Sequence, residues 1–167
     1  MKLLTTLVFF ASLLNSTMVL AHEGHLHSAS AEMQVSNAQV RVFLPGSDSS
    51  VAYFTLTNNS DYSATLTKAS LDGLGRVEIH QHSHVDGMMK MEKVASVAVE
   101  AHSQVNFQPG GFHLMLFEPQ ETLKVGQELK LTLYFNDGNR IFTHANVVSL
   151  QAMSVEKAGK DEAHSHH

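Results

Sequence analysis

Short alternating apolar runs, each stopped by a cluster of turn residues, leave this chain few folds to choose from. Leu129, Leu131, Leu133 and Phe135 alternate with Lys130, Thr132 and Tyr134, the period of a strand with one face in a core. Asn136-Asp137-Gly138-Asn139 follows and leads into Arg140-Ile141-Phe142-Thr143, which predicts a hairpin with Asp-Gly in its turn. Val51-Ala52-Tyr53-Phe54-Thr55-Leu56-Thr57 is β-branched and aromatic, and it stops at Asn58-Asn59-Ser60-Asp61. Val35–Phe43, Ala64–Leu71, Arg76–His80, Val97–Ala101, Gln104–Gln108 and Phe112–Phe117 read the same way. No segment sustains a helical period. Many short strands with turns between them predict an all-β fold, an antiparallel sandwich or a small barrel.

Composition narrows the chemistry. At 167 residues and 43% hydrophobic content the chain has room for one domain with a real core and tails. A formal charge of −5 argues against a nucleic-acid partner, which needs a basic face. Cysteine is absent, which removes disulfides, zinc–thiolate sites, thiol catalysis and every copper site that needs a thiolate. What stands out is 12 His and 8 Met in one chain without Cys or Trp.

The start of the chain reads as an address. Lys2 precedes the apolar run Leu3 to Leu14, and Val19-Leu20-Ala21 offers small residues at a cleavage point, the order of a secretory signal peptide. Residues 1–21 are therefore expected to be a cleaved signal, which places the mature protein in the periplasm. No later stretch is long and apolar enough for membrane insertion. Residues 22–31 (HEGHLHSASA) read as a flexible His-rich lead-in, 32–150 as the folded domain, and 151–167 as a disordered His-rich tail.

The histidines and methionines are grouped. His80, His82 and His84 are followed by Met88, Met89 and Met91, and later by His113 and Met115. Alternate residues of a strand share a face, so His113 and Met115 project together while Phe112, Leu114 and Leu116 face a core. Met89 with Met91 and His80 with His82 pair likewise. Thioether sulfur is soft and suits Cu(I), and imidazole accepts copper in either oxidation state. Zinc prefers Cys, His and carboxylate. A His/Met set without Cys thus favours Cu(I). Met33 and Met153 read as core fillers, His102 as a solvated loop residue and His144 as a strand or edge residue. His82 and His84 stay open between ligands and idle exposed side chains.

From Arg76 to Pro119 the chain resembles the PCu(A)C family of periplasmic copper chaperones. That family's signature is a His, ten residues, a Met, twenty-one residues and then His-x-Met, and His80, Met91, His113 and Met115 satisfy every spacing. The flanking text Val77-Glu78-Ile79-His80, Gly87-Met88-Met89-Lys90-Met91 and Pro109-Gly110-Gly111-Phe112-His113-Leu114-Met115-Leu116 fits as well. The resemblance, weaker outside this stretch, spans Val35 to Val148. It implies a cupredoxin-like antiparallel β-sandwich with Greek-key connections. It further implies Cu(I) held by His80, Met91, His113 and Met115, and delivery to a respiratory oxidase subunit or exchange with a thiol-based copper chaperone. His164, His166 and His167 resemble extensions that hold a second copper, Cu(II), in some members. His22, His25 and His27 form a further cluster that simpler members lack.

The expected protein is thus a monomeric, non-enzymatic copper carrier whose tails can bridge copies through metal. A copper buffer or resistance protein is the near alternative. From another class comes a copper oxygenase with His22 as an N-terminal chelating brace, and zinc binding is a further alternative.

Overall fold

The computed structural model describes residues 32–85 and 87–153, without the side chains of His84 and Val85. The expected signal peptide, the lead-in with His22, His25 and His27, and His164, His166 and His167 lie outside the described residues.

The described residues form ten strands: β1 (Met33–Arg41), β2 (Ser49–Asn58), β3 (Ala64–Leu71), β4 (Leu74–Val85), β5 (Met88–Lys93), β6 (Val97–Val99), β7 (Ser103–Phe107), β8 (Phe112–Pro119), β9 (Glu128–Phe135) and β10 (Arg140–Val148). Hydrogen bonding links them in one open ladder, β5-β4-β8-β7-β2-β1-β10-β9-β3-β6. The ladder folds over on itself as a β-sandwich, because residues from both of its arms enter one buried cluster. Val40, Leu56, Leu66, Val99, Leu114, Leu116 and Leu133 are wholly buried there. Strict alternation along β2, where Ser50, Ala52, Phe54, Leu56 and Asn58 are buried and their neighbours are not, is what such a one-sided core demands.

The Asp-Gly hairpin forms as its sequence predicts. Arg140 stands opposite Tyr134, and Gly138 takes the positive φ of 84° that the turn requires. The pairing is not uniformly antiparallel, however. β1 runs parallel to β10 and β7 touches β8 in parallel through Phe107 and Phe112. β1 and β10 are distant in the chain, so no local turn fixes their direction. β1 changes register between Ser36 and Gln39, where Asn37 sits at φ 54°, a bulge built on a residue that tolerates the left-handed region.

Asn58 pins one end of the sandwich. It is fully buried, and its Nδ2 donates to the carbonyls of Tyr62 (2.7 Å), Val99 (3.1 Å) and Glu100 (3.1 Å). Its Oδ1 accepts from the Ser60 amide (3.0 Å) and hydroxyl (2.7 Å). Residues 150–153, which span the expected start of the tail at 151, make one helical turn, with Ser149 Oγ accepting from the Ala152 amide at 3.3 Å, as an N-cap does; the rest of that expected tail lies outside the described residues. No helix among the described residues is long and apolar enough to cross a membrane.

Candidate metal centre

The candidate ligands gather where β4, β8 and β5 lie side by side. In this arm His80 stands directly opposite His113, and Glu78 opposite Met115. On the other side of β4, His82 stands opposite Met91 and His80 opposite Lys93. Directly opposed residues share a face of the sheet. His80, His82, His113, Met91 and Met115 therefore lie on one face together with Glu78 and Lys93. Ile79, Leu114 and Leu116 alternate to the other face and are buried in the core. The four residues with the family spacing thus share one surface. Met91 is level with His82 and diagonal to His80.

The rings pack closely. The His82 and His113 centroids are 4.8 Å apart with planes 22° from parallel, and His80 and His113 are 5.9 Å apart at 43°. His113 is 2% exposed although its face points away from the apolar core. Burial, together with the fields of His82 and His80, pushes its pKa below the usual 6.5, against an opposing hydrogen bond to Gly111. That keeps the imidazole neutral, the form that binds a metal. The bond to Gly111 also orients it: His113 Nδ1 donates to the Gly111 carbonyl at 3.1 Å, which leaves the lone pair on Nε2. The same carbonyl accepts the His82 amide at 3.1 Å.

A carboxylate that sequence reasoning missed sits at the edge of this group. Glu78 accepts from His80 Nε2 (3.0 Å), Arg76 Nη1 (2.9 Å) and Lys93 Nζ (3.0 Å). These bonds, that from His80 foremost, hold its carboxyl at about 2, well below 4.5. The position two residues before His80 on a strand was the available signal, since it shares the face. Arg76 is itself placed by Glu118, 3.2 Å from its Nε, and by the Phe117 ring, 3.8 Å below its guanidinium.

The donor set fits a soft ion. Nδ1 of His80 and Nδ1 of His82 are both buried without a hydrogen-bond partner, and a buried acceptor left open costs about 1–3 kcal/mol. Among the described residues no three His, Asp or Glu side chains converge as a ready ligand set. The face offers thioether sulfur beside imidazole, a mixed donor set that suits Cu(I) better than zinc. Met91 is 48% exposed on β5, beside Met89 at 56% and Met88 at 70%. Met115 is half-buried on β8.

The other sequence-stated positions fall elsewhere. His102 is exposed with φ 51° and binds Asp61 through Nε2 at 2.8 Å. His144 is exposed on β10, and Met33 is buried in the core. The His84 backbone pairs with Met89.

Comparison with known proteins follows the same lines. An uncharacterized protein of Rickettsia prowazekii is 35% identical over 101 residues, 60% of this chain, and the match spans 56% of that relative's length. The solution structure of Cu(I)-DR1885 from Deinococcus radiodurans is 29% identical, covering 73% of this chain and 81% of that one with a TM-score of 0.60. The apo PCuAC domain of PmoF1 matches with a TM-score of 0.60 at 20% identity, over 71% of this chain and 94% of that domain. The sandwich is thus of the cupredoxin-like PCuAC type. With the family model of LpqE-like lipoproteins matching residues 33–147, the chain belongs to the LpqE-like family.

Proposed function

We propose that this protein is an exported copper carrier that binds Cu(I) through His80, Met91, His113 and Met115 and passes it on. The observation that carries the reading is the register of β4, β8 and β5. It sets two imidazoles directly opposite one another, one thioether two residues along β8 and another on the adjoining strand. The 29% identical relative, solved with Cu(I), and a family described as lipoproteins support binding and export. In this reading the role is carriage of a soft ion rather than catalysis.

Transfer needs a site that a partner can reach. Exposure of Met91, beside two more exposed thioethers, suits replacement of thioethers one at a time by a partner's thiolates. The acceptor in this reading is a thiol-based copper chaperone or a respiratory oxidase subunit. The 32–150 domain is the binding unit. The tail with His164, His166 and His167, with or without His22, His25 and His27, captures Cu(II), because imidazole without thioether suits that ion.

Competition with a chromophoric Cu(I) chelator tests the site. One equivalent of Cu(I) is expected to bind more tightly than Zn(II), and the affinity to fall in Met91→Ala/Met115→Ala. Unchanged affinity in that double variant overturns the ligand assignment. Truncation after Leu150 is expected to remove a Cu(II) equivalent and spare Cu(I). Equal Cu(II) stoichiometry with and without the tail refutes capture.

A further inference from the structure

We infer that Glu78 is a positioning residue for the copper site: by accepting the Nε2–H of His80 it assigns Nδ1 as that ring's metal-binding nitrogen. The inference rests on the ligand reading above and specifies how one of its residues works.

An ionised carboxylate has no proton to give, so the bond between Glu78 Oε2 and His80 Nε2 at 3.0 Å carries its hydrogen on the imidazole. The metal-binding form of an imidazole is neutral, with one N–H and one lone pair, which puts the lone pair of His80 on Nδ1. That atom is buried and has no hydrogen-bond partner, and an unpaired buried lone pair is suited to a metal ion. Glu78 cannot easily swing away, because Arg76 Nη1 and Lys93 Nζ hold its other oxygen at 2.9 and 3.0 Å. A carboxylate behind an imidazole fixes the tautomer and raises the basicity of the nitrogen that faces the metal.

His113 is arranged the opposite way. Its Nδ1 donates to the Gly111 carbonyl, so its lone pair is on Nε2. The two rings, directly opposed across β4 and β8, therefore present different nitrogens to one ion. His82 also has an open Nδ1, but its ring lies nearly parallel to His113 at 4.8 Å. In-plane lone pairs on two stacked rings lie in separate planes, so His82 does not share an ion with His113 in this arrangement.

Long-range ¹H–¹⁵N correlation spectra of the full chain test the assignment before and after Cu(I) is added. In the apo protein His80 is expected to show a protonated Nε2 and an unprotonated Nδ1, and Cu(I) to shift Nδ1. Glu78→Ala should mix the two tautomers and weaken Cu(I) by about 10- to 100-fold. Glu78→Gln tests the acceptor itself. Its carbonyl oxygen is drawn to the two donors Arg76 Nη1 and Lys93 Nζ, which turns its NH₂ toward Nε2, so it should favour the Nδ1–H tautomer and weaken Cu(I) as Glu78→Ala does. A protonated Nδ1 in the apo protein, a Cu(I) shift at Nε2, or wild-type Cu(I) affinity in Glu78→Ala overturns the inference. If instead His113→Ala and Met115→Ala leave Cu(I) affinity unchanged, the ligand reading itself fails, while the apo tautomer still reports on Glu78. Should Glu78→Ala not fold, the wild-type spectra decide alone.

Discussion

Leu114 and Met115 are neighbours on β8 that face opposite ways, and exchanging each for alanine separates the core from the site. Leu114 is fully buried and stands between Ile79 of β4 and Ala52 of β2. Strands on both sides prevent the backbone from collapsing into a hole. Loss of the side chain's transfer energy plus an unrelaxed cavity places Leu114→Ala at about 3–4 kcal/mol. With a urea slope of roughly 1–3 kcal/mol/M, the apo midpoint falls by about 2 M. Met115 is only half-buried, and its truncation should cost apo stability about 1 kcal/mol. Copper reverses the ranking. At free Cu(I) a hundred times its Kd, binding adds about 2.7 kcal/mol, an increment expected intact in Leu114→Ala and largely absent in Met115→Ala. Urea titrations followed by circular dichroism, with and without buffered Cu(I), measure both quantities. Equal apo losses in the two variants, or full copper stabilisation in Met115→Ala, would refute the division of β8 into a core face and a metal face.

Further outcomes follow from the same geometry. Asn58→Ala strands three carbonyls and the Ser60 groups it serves, and should cost about 2–4 kcal/mol by denaturant titration. Gly75→Ala places a methyl 2.9 Å from the Glu118 Cβ and 3.3 Å from its carbonyl oxygen. The clash should lower stability by about 1–3 kcal/mol, read as a lower melting temperature. Because burial holds the His113 pKa below 6.5, the folded apo protein binds fewer protons than the unfolded chain. The stability this linkage contributes is complete above pH 6.5 and fades as pH falls through 6.5 toward the lowered value. Denaturant titrations across that window should show the slope in wild type and a shallower one in His113→Leu.

Much of this was legible because it is local. Alternation in Leu129–Phe135 and the Asp-Gly turn define β9, β10 and their hairpin, and Ala64–Leu71 matches β3 end to end. The shared face of His113 and Met115 follows from period two alone. The apolar pattern marks β4 only over Arg76–His80, whereas the strand runs from Leu74 to Val85. Past His80 come Gln81, His82, Ser83 and His84, all polar, so no apolar alternation marks the strand. β5 has every residue exposed, and a strand held by one neighbour rather than by burial leaves no hydrophobic pattern. Register is a long-range quantity, so spacing alone does not put Met91 level with His82. The burial of His113 depends on two other imidazoles closing over it. The grip of Glu78 on His80 depends on Arg76 and Lys93 holding the carboxylate from separate positions.

β5 lies at one end of the ladder and buries none of its side chains, while β8 lies inside the ladder with Leu114 and Leu116 in the core. The proposed donors are thereby divided between two elements of unequal local stability. Opening β5 breaks one strand pairing and exposes almost no apolar surface, so it costs a small fraction of global unfolding. Backbone amides of Met88–Lys93 should exchange with solvent far faster than those of Leu114–Leu116. On the proposed ligand set, departure of Met91 from the imidazoles becomes a fraying event, and the lifetime of a bound ion is expected to follow the edge of the sheet rather than the durability of the fold.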